Sequence, residues 1–173
     1  MSRLFMVYLG GKAPGANIEV HDVRFVVAES IDAAVPSLRQ QWYGEQDNLH
    51  IDSYHEITAV GGYQVSLSTE PVEQSMSLFF VNLGGYVPSS MAEQHDFGLF
   101  IAENKADAQE QACRVLLSEV EKQHKDNLLV VDDCLLLHRM NNRYVVLAKP
   151  SGQDIESSHA VIPDWYGYRV ISH

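Results

Sequence analysis

The feature that most constrains this chain is an internal repeat. Shifted against itself by 74 positions, the sequence aligns residues 4–34 with 78–108 without a gap, and 13 of the 31 pairs are identical. Composition alone gives roughly two matches. The identities include Leu4/Leu78, Phe5/Phe79, Val7/Val81, Leu9/Leu83, Gly10/Gly84, Gly11/Gly85, Pro14/Pro88, Glu19/Glu93, His21/His95 and Asp22/Asp96. A repeat of about 70 residues implies one supersecondary unit used twice, each copy too small to bury a full core alone.

Both copies read alike. A short apolar run (Leu4 to Leu9; Leu78 to Leu83) is strand-like and apolar on both alternating faces, so both faces are expected to be covered. A Gly-Gly and a proline open a loop, and a second apolar run follows (Val23 to Ala28; Phe97 to Ala102). A helix comes next. In the second copy Asn104 is the expected N-cap, with an apolar stripe running to Val120. In the first, Ser30 or Asp32 caps, and Pro36 favours a start near Asp32, where proline falls in the first turn. A hairpin closes each unit, Ile51 to Val60 and Tyr63 to Leu67 around Gly61-Gly62, then Leu128 to Met140 and Arg143 to Leu147 around Asn141-Asn142. Both turn dipeptides tolerate positive φ.

The expected architecture is therefore α+β: two tandem ββαββ-like repeats related by a pseudo-twofold axis, with a C-terminal aromatic arm. The boundaries are 1–67 for the first repeat, 68–77 for a polar linker, 78–149 for the second repeat, and 150–173 for the arm. The arm ends Trp165-Tyr166-Gly167-Tyr168-Arg169-Val170-Ile171, too aromatic to be loose, and is expected to dock on the body.

Charge narrows the partners. With 12 Lys+Arg against 23 Asp+Glu the net charge is −11, which repels phosphate backbones and anionic lipid surfaces, so neither nucleic acid nor membrane is an expected partner. The expected partner is a small molecule or a protein, and a homo-oligomer stays open. Two cysteines, Cys113 and Cys134, both in apolar contexts, make no disulfide framework or paired-cysteine metal motif. The apolar N-terminal run is too short for a signal peptide and no segment is long enough for a membrane helix, so a cytoplasmic location is expected.

The segments Leu4 to Gly11 and Glu19-Val20-His21-Asp22-Val23-Arg24-Phe25-Val26-Val27, with Asp52-Ser53-Tyr54, Gly62-Tyr63, Leu78 to Ala102 and the Trp165 to Tyr168 tail, carry a resemblance covering nearly the whole chain. The sequence resembles the bacterial domain-of-unknown-function family numbered fifteen forty-three, whose domain occurs once or twice per chain. The resemblance implies a bacterial cytoplasmic protein; it brings no activity, cofactor or catalytic residue.

The candidate site is the repeated loop itself: Gly10, Gly11, Glu19, His21 and Asp22, echoed by Gly84, Gly85, Glu93, His95 and Asp96. Polar identities kept in a loop between buried strands ask for a reason. The simplest is structural: Gly-Gly supplies positive φ, and each aspartate accepts a hydrogen bond from its own Gly-Gly loop. A ligand site is the alternative. Glu19 and His21 share one face of an extended chain and suit a divalent transition metal, with a third group still to be supplied, while the Gly-Gly amides suit a small anion. These residues alone assign no metal-ligand set and no cofactor. His50, His55, His124, His138, His159 and His173 lack in-frame partners and read as incidental, and Asp52 reads as a solvated turn residue. The first functional reading is a non-enzymatic binding or interaction module; the second is a small-molecule or metal-dependent enzyme using the paired loops.

Overall fold

The computed structural model describes residues 1–86, 89–116, 130–149 and 161–171, with the backbone alone for 130–132. The elements are β1 (Arg3–Gly11), β2 (Val20–Ala28), α1 (Ile31–Gln41), β3 (His50–Glu56), β4 (Ala59–Val60), β5 (Tyr63–Ser68), β6 (Ser77–Gly85), β7 (Gln94–Ala102), α2 (Lys105–Val115), β8 (Val130–Leu136), β9 (Arg139–Met140), β10 (Arg143–Ala148) and β11 (Trp165–Val170). The second set repeats the first. Arg3 maps to Ser77 and Ile31 to Lys105, 74 positions on; His50 maps to Val130 and Tyr63 to Arg143, 80 positions on. Six extra residues therefore fall between α2 and β8.

The apolar runs are buried on both faces for two different reasons. In the first repeat Phe5, Val7, Leu9 and Val26 pack outward on Ala34 and Leu38 of α1. In the second, Phe79, Val81, Leu83 and Phe100 pack on Ala108 and Ala112 of α2. The opposite faces meet each other: Leu4, Met6 and Phe25 share one core with Leu78, Phe80, Leu99 and Ile101. The result is four layers, helix–sheet–sheet–helix, joined at the centre by ring contacts such as Phe25 on Phe80, 5.3 Å between centroids. Each fully buried leucine or phenylalanine there contributes about 1.5–3 kcal/mol.

One sheet has the order β11-β3-β1-β2 and its counterpart the order β7-β6-β8. A third sheet, β4-β5-β10-β9, is built by both repeats. Its central pair carries the pseudo-twofold axis: Ser66 lies opposite Val146, its own counterpart 80 positions on. Both hairpin turns have two residues at positive φ, Gly61 and Gly62 in one, Asn141 and Asn142 in the other.

Two expectations change in detail. The strand expected over 51–60 divides: β3 stays with β1, the chain turns at Thr58, and β4 joins the shared sheet. Helix α1 begins at Ile31 on a Ser30 cap, whose hydroxyl accepts from the Ala33 amide, so Pro36 is its sixth residue. Proline is tolerated because Pro36 is exposed, and the carbonyl it leaves unbonded belongs to exposed Asp32. Asn104 caps α2 as expected. The continuation of that helix to Val120, together with Pro88, His124, His159 and His173, lies outside the described residues.

The aromatic tail forms β11, antiparallel to β3. Ile171 is buried in the first helix-side core, and Trp165 packs against it.

Candidate functional site

The site is built across the end of the first sheet. Gly10, on the central strand β1, lies between His21 of β2 and His50 of β3 in the two ladders. Direct neighbours across a sheet share a face, so the two imidazoles flank a position with no side chain. A Cβ on Gly10 would lie 2.4 Å from His50 Nε2, 2.8 Å from Asp52 Oδ2 and 3.0 Å from His21 Cδ2. Gly10 is glycine because the side chains of the site fill its space. Gly11 is similar, its Cβ falling 3.0 Å from the Trp42 ring. Neither has a positive φ, so the backbone reason expected from sequence is replaced by a spatial one.

Asp52 arrives by a register shift. Leu9 pairs with Ile51 and Tyr8 with Ser53, leaving Asp52 as the extra residue of a β-bulge. Bulges re-aim a side chain, and this one sets the carboxylate between the two histidines. It is no solvated turn residue; its Oδ2 is buried and has no hydrogen-bond partner.

Four groups converge. His21 Nε2 is 3.2 Å from Glu19 Oε1 and 3.2 Å from Asp52 Oδ2. His50 Nε2 is 3.4 Å from Glu19 Oε1 and 3.3 Å from Asp52 Oδ1. His50 is fully buried, yet its Nε2 has no hydrogen-bond partner. Its other nitrogen, Nδ1, lies 2.7 Å from the Asn48 carbonyl. A carbonyl only accepts, so Nδ1 carries a proton, and Nε2 is the nitrogen that faces the cluster. Asn48 presents that carbonyl from a left-handed backbone, φ 64°. Tyr168 of β11 lies against the His50 ring at 4.1 Å, and Tyr8 stacks on His21 at 5.3 Å and 8°. Burial, with Asp52 and Asp22 adding to it, pushes the Tyr8 phenol above its ordinary pKa.

Glu19, His21 and His50 offer ligand atoms all within 4.8 Å of one another. Glu19 Oε1 lies 3.2 and 3.4 Å from the two Nε2 atoms, near the ligand–ligand edge of about 3.3–3.4 Å that metal bonds of about 2.0–2.1 Å give around a tetrahedral ion. The backbone carbonyl behind His50 is the outer partner that metal-bound histidines ordinarily have.

The second repeat does not reproduce the centre. Its ladder keeps His95 opposite Gly84 but puts Val130 where the first repeat has His50. His95 and Glu93 are 3.8 Å apart. Asp132 takes the bulge position of Asp52; its side chain lies outside the described residues. His21 and His95, both partly exposed, line one cleft of about 390 Å³ between the sheets, with Tyr8, Phe80, Asn82, Phe97 and Asp133. Asp22 lines it too, while Asp96 does not appear in its wall.

Each aspartate accepts from the amide that follows it. The Val23 amide donates to Asp22 Oδ1 at 2.8 Å, and the Phe97 amide to Asp96 Oδ1 at 2.9 Å. This bond is the same in both copies, its donor the next residue of the edge strand; for Asp22 that donor replaces the expected one from the Gly-Gly loop. Asp22 also pairs with Arg24 at 2.6 Å.

Residues 16–67 and 90–138 match the family described as Domain of Unknown Function (DUF1543). No curated protein matches the chain. Among solved structures, one described as the crystal structure of a protein Il1583 from Idiomarina loihiensis is similar over 99% of this chain and 98% of that one, with 34% identity and a TM-score of 0.73. No helix among the described residues is long and apolar enough to cross a membrane. The chain belongs to the DUF1543 family and carries its domain in two tandem copies.

Proposed function

We propose that the protein binds one divalent transition-metal ion, of the zinc class, through Glu19, His21, His50 and Asp52 of its first repeat. One observation carries the reading: the buried His50 Nε2 and Asp52 Oδ2 make no hydrogen bond, although Nε2 faces Asp52 Oδ1 at 3.3 Å and Oδ2 faces His21 Nε2 at 3.2 Å. A buried polar atom without a partner costs about 1–3 kcal/mol, and a cation removes that cost for both atoms at once. Two imidazoles with two carboxylates are a suitable donor set, and the two negative charges balance a divalent ion. The cleft that shares His21 gives an organic molecule room near the ion. This favours a metal-binding reading of the first repeat's loop over a purely structural one.

The test is elemental analysis of protein purified without chelator. One ion per chain is expected, lost in His50→Ala and in Asp52→Ala, while His95→Ala retains it. A chain free of metal that also fails to take up Zn(II) or Co(II) overturns the reading, as does full occupancy in His50→Ala.

A further inference from the structure

We infer that Glu19 is the exchangeable ligand of this centre, and that a small organic anion with an oxygen donor, of the carboxylate or hydroxamate class, takes its place. The inference rests on the metal reading above. Three of the four ligands are held. His50 is buried, bonded at Nδ1 and covered by Tyr168. His21 sits in the β1–β2 ladder and stacks on Tyr8. Asp52 is fixed by the bulge in β3. Glu19 has none of these restraints. It precedes β2, beyond the last paired residues Gly11 and Val20, and its side chain is the most exposed of the four, 44% against 35% for His21, 25% for Asp52 and 0% for His50.

Three ligands held by the sheet and one exposed carboxylate outside it is the arrangement of a centre that opens a coordination position, since catalytic zinc sites keep three protein ligands and leave the fourth to water or substrate. Charge selects the entering group. Glu19 and Asp52 together cancel a divalent ion, so a group replacing Glu19 without leaving excess charge must itself be an anion. In the exchange the metal–Oε1 bond breaks, the Glu19 carboxylate leaves as the free anion, and a metal–oxygen bond forms to the ligand. A hydroxamic acid gives its proton to the buffer.

The experiment uses the full chain loaded with Co(II), read by its visible spectrum, and titrated with acetohydroxamate and separately with acetate. Wild-type bands should shift with acetohydroxamate as the coordination number rises. Glu19→Ala should keep Co(II) and bind acetohydroxamate about tenfold more tightly, because a tethered competitor has been removed. Glu19→Gln, which keeps the length of the side chain without its charge, should fall between them. Loss of Co(II) from a Glu19→Ala protein that is folded by circular dichroism overturns the inference by making Glu19 a fixed ligand. So do bands unmoved by either titrant in both wild type and variant. Failure of wild-type protein to bind Co(II) at all removes the metal reading itself, so the two failures are distinct.

Discussion

At the scale of single residues, Gly10 makes the sharpest test. An added methyl would overlap His50 Nε2 and Asp52 Oδ2, so Gly10→Ala should abolish metal binding and lower stability by about 1–3 kcal/mol, as overpacking does. Gly11→Ala presses on Trp42 instead and should cost stability with the metal retained; elemental analysis beside urea denaturation separates the two. Asp22→Ala removes the carboxylate that accepts from the Val23 amide and pairs with Arg24. A loss of about 1 kcal/mol is expected, because Asp22 is partly exposed and its ion pair is screened. Unchanged metal content would separate that role from the site. Half of the centre is legible in the amino-acid sequence, where the repeat picks out Gly10, Glu19 and His21. His50 is not. Matching one half to the other finds what both kept, and the ligand that distinguishes the halves has Val130 as its counterpart. Asp52 is visible as a residue, but its aim depends on a bulge, which single-residue patterning does not record.

At the scale of elements, strand and helix identities follow from period, caps and turn dipeptides, because those signals are local. The assignment of β4 to a different sheet from β3 does not, because the division is imposed by the other repeat: β5 finds its neighbour in β10. The C-terminal strand tests a link between an element and the site. Its anchors are Ile171 in the first helix-side core, the pair of Arg169 with Asp32, and the Glu56 amide donating to Asp164 at 2.6 Å. Ile171→Ala should cost about 2–4 kcal/mol by chemical denaturation, within the range for truncating a buried isoleucine. Tyr168, 62% exposed, should matter little for stability. Its ring covers His50, so Tyr168→Ala should accelerate metal loss to a chelator while leaving the denaturation midpoint of the apo-protein nearly unchanged.

At the scale of the whole molecule, the repeat predicts how the chain behaves when divided. The two halves share a core in which Leu4, Met6, Phe25, Ile57 and Val60 of one pack with Leu78, Phe80, Leu99, Leu137 and Val145 of the other. They also share a sheet, whose central β5–β10 pairing is symmetric about Ser66 and Val146. A chain of residues 1–70 loses both, together with β11, its Ile171 in the first core and its Tyr168 over His50. It exposes those five large apolar side chains and leaves β5 as an open edge, which no isolated unit of this size supports easily. The same symmetry offers a remedy. A second copy can present its own β5 where β10 lies, Ser66 opposite Ser66, and its own inner sheet face where the second repeat packs; an isologous twofold pairing then restores the surface buried between the repeats, while the β3 edge stays without β11. Residues 1–70 should therefore sediment as a dimer with native-like circular dichroism, or else be unfolded, and dilution should dissociate and unfold the dimer together. Such a dimer carries two copies of Glu19, His21, His50 and Asp52, so it should take up two ions where the parent takes one. A stable folded monomer of 1–70 would show that the shared core is dispensable and would remove the physical reason for the tandem arrangement.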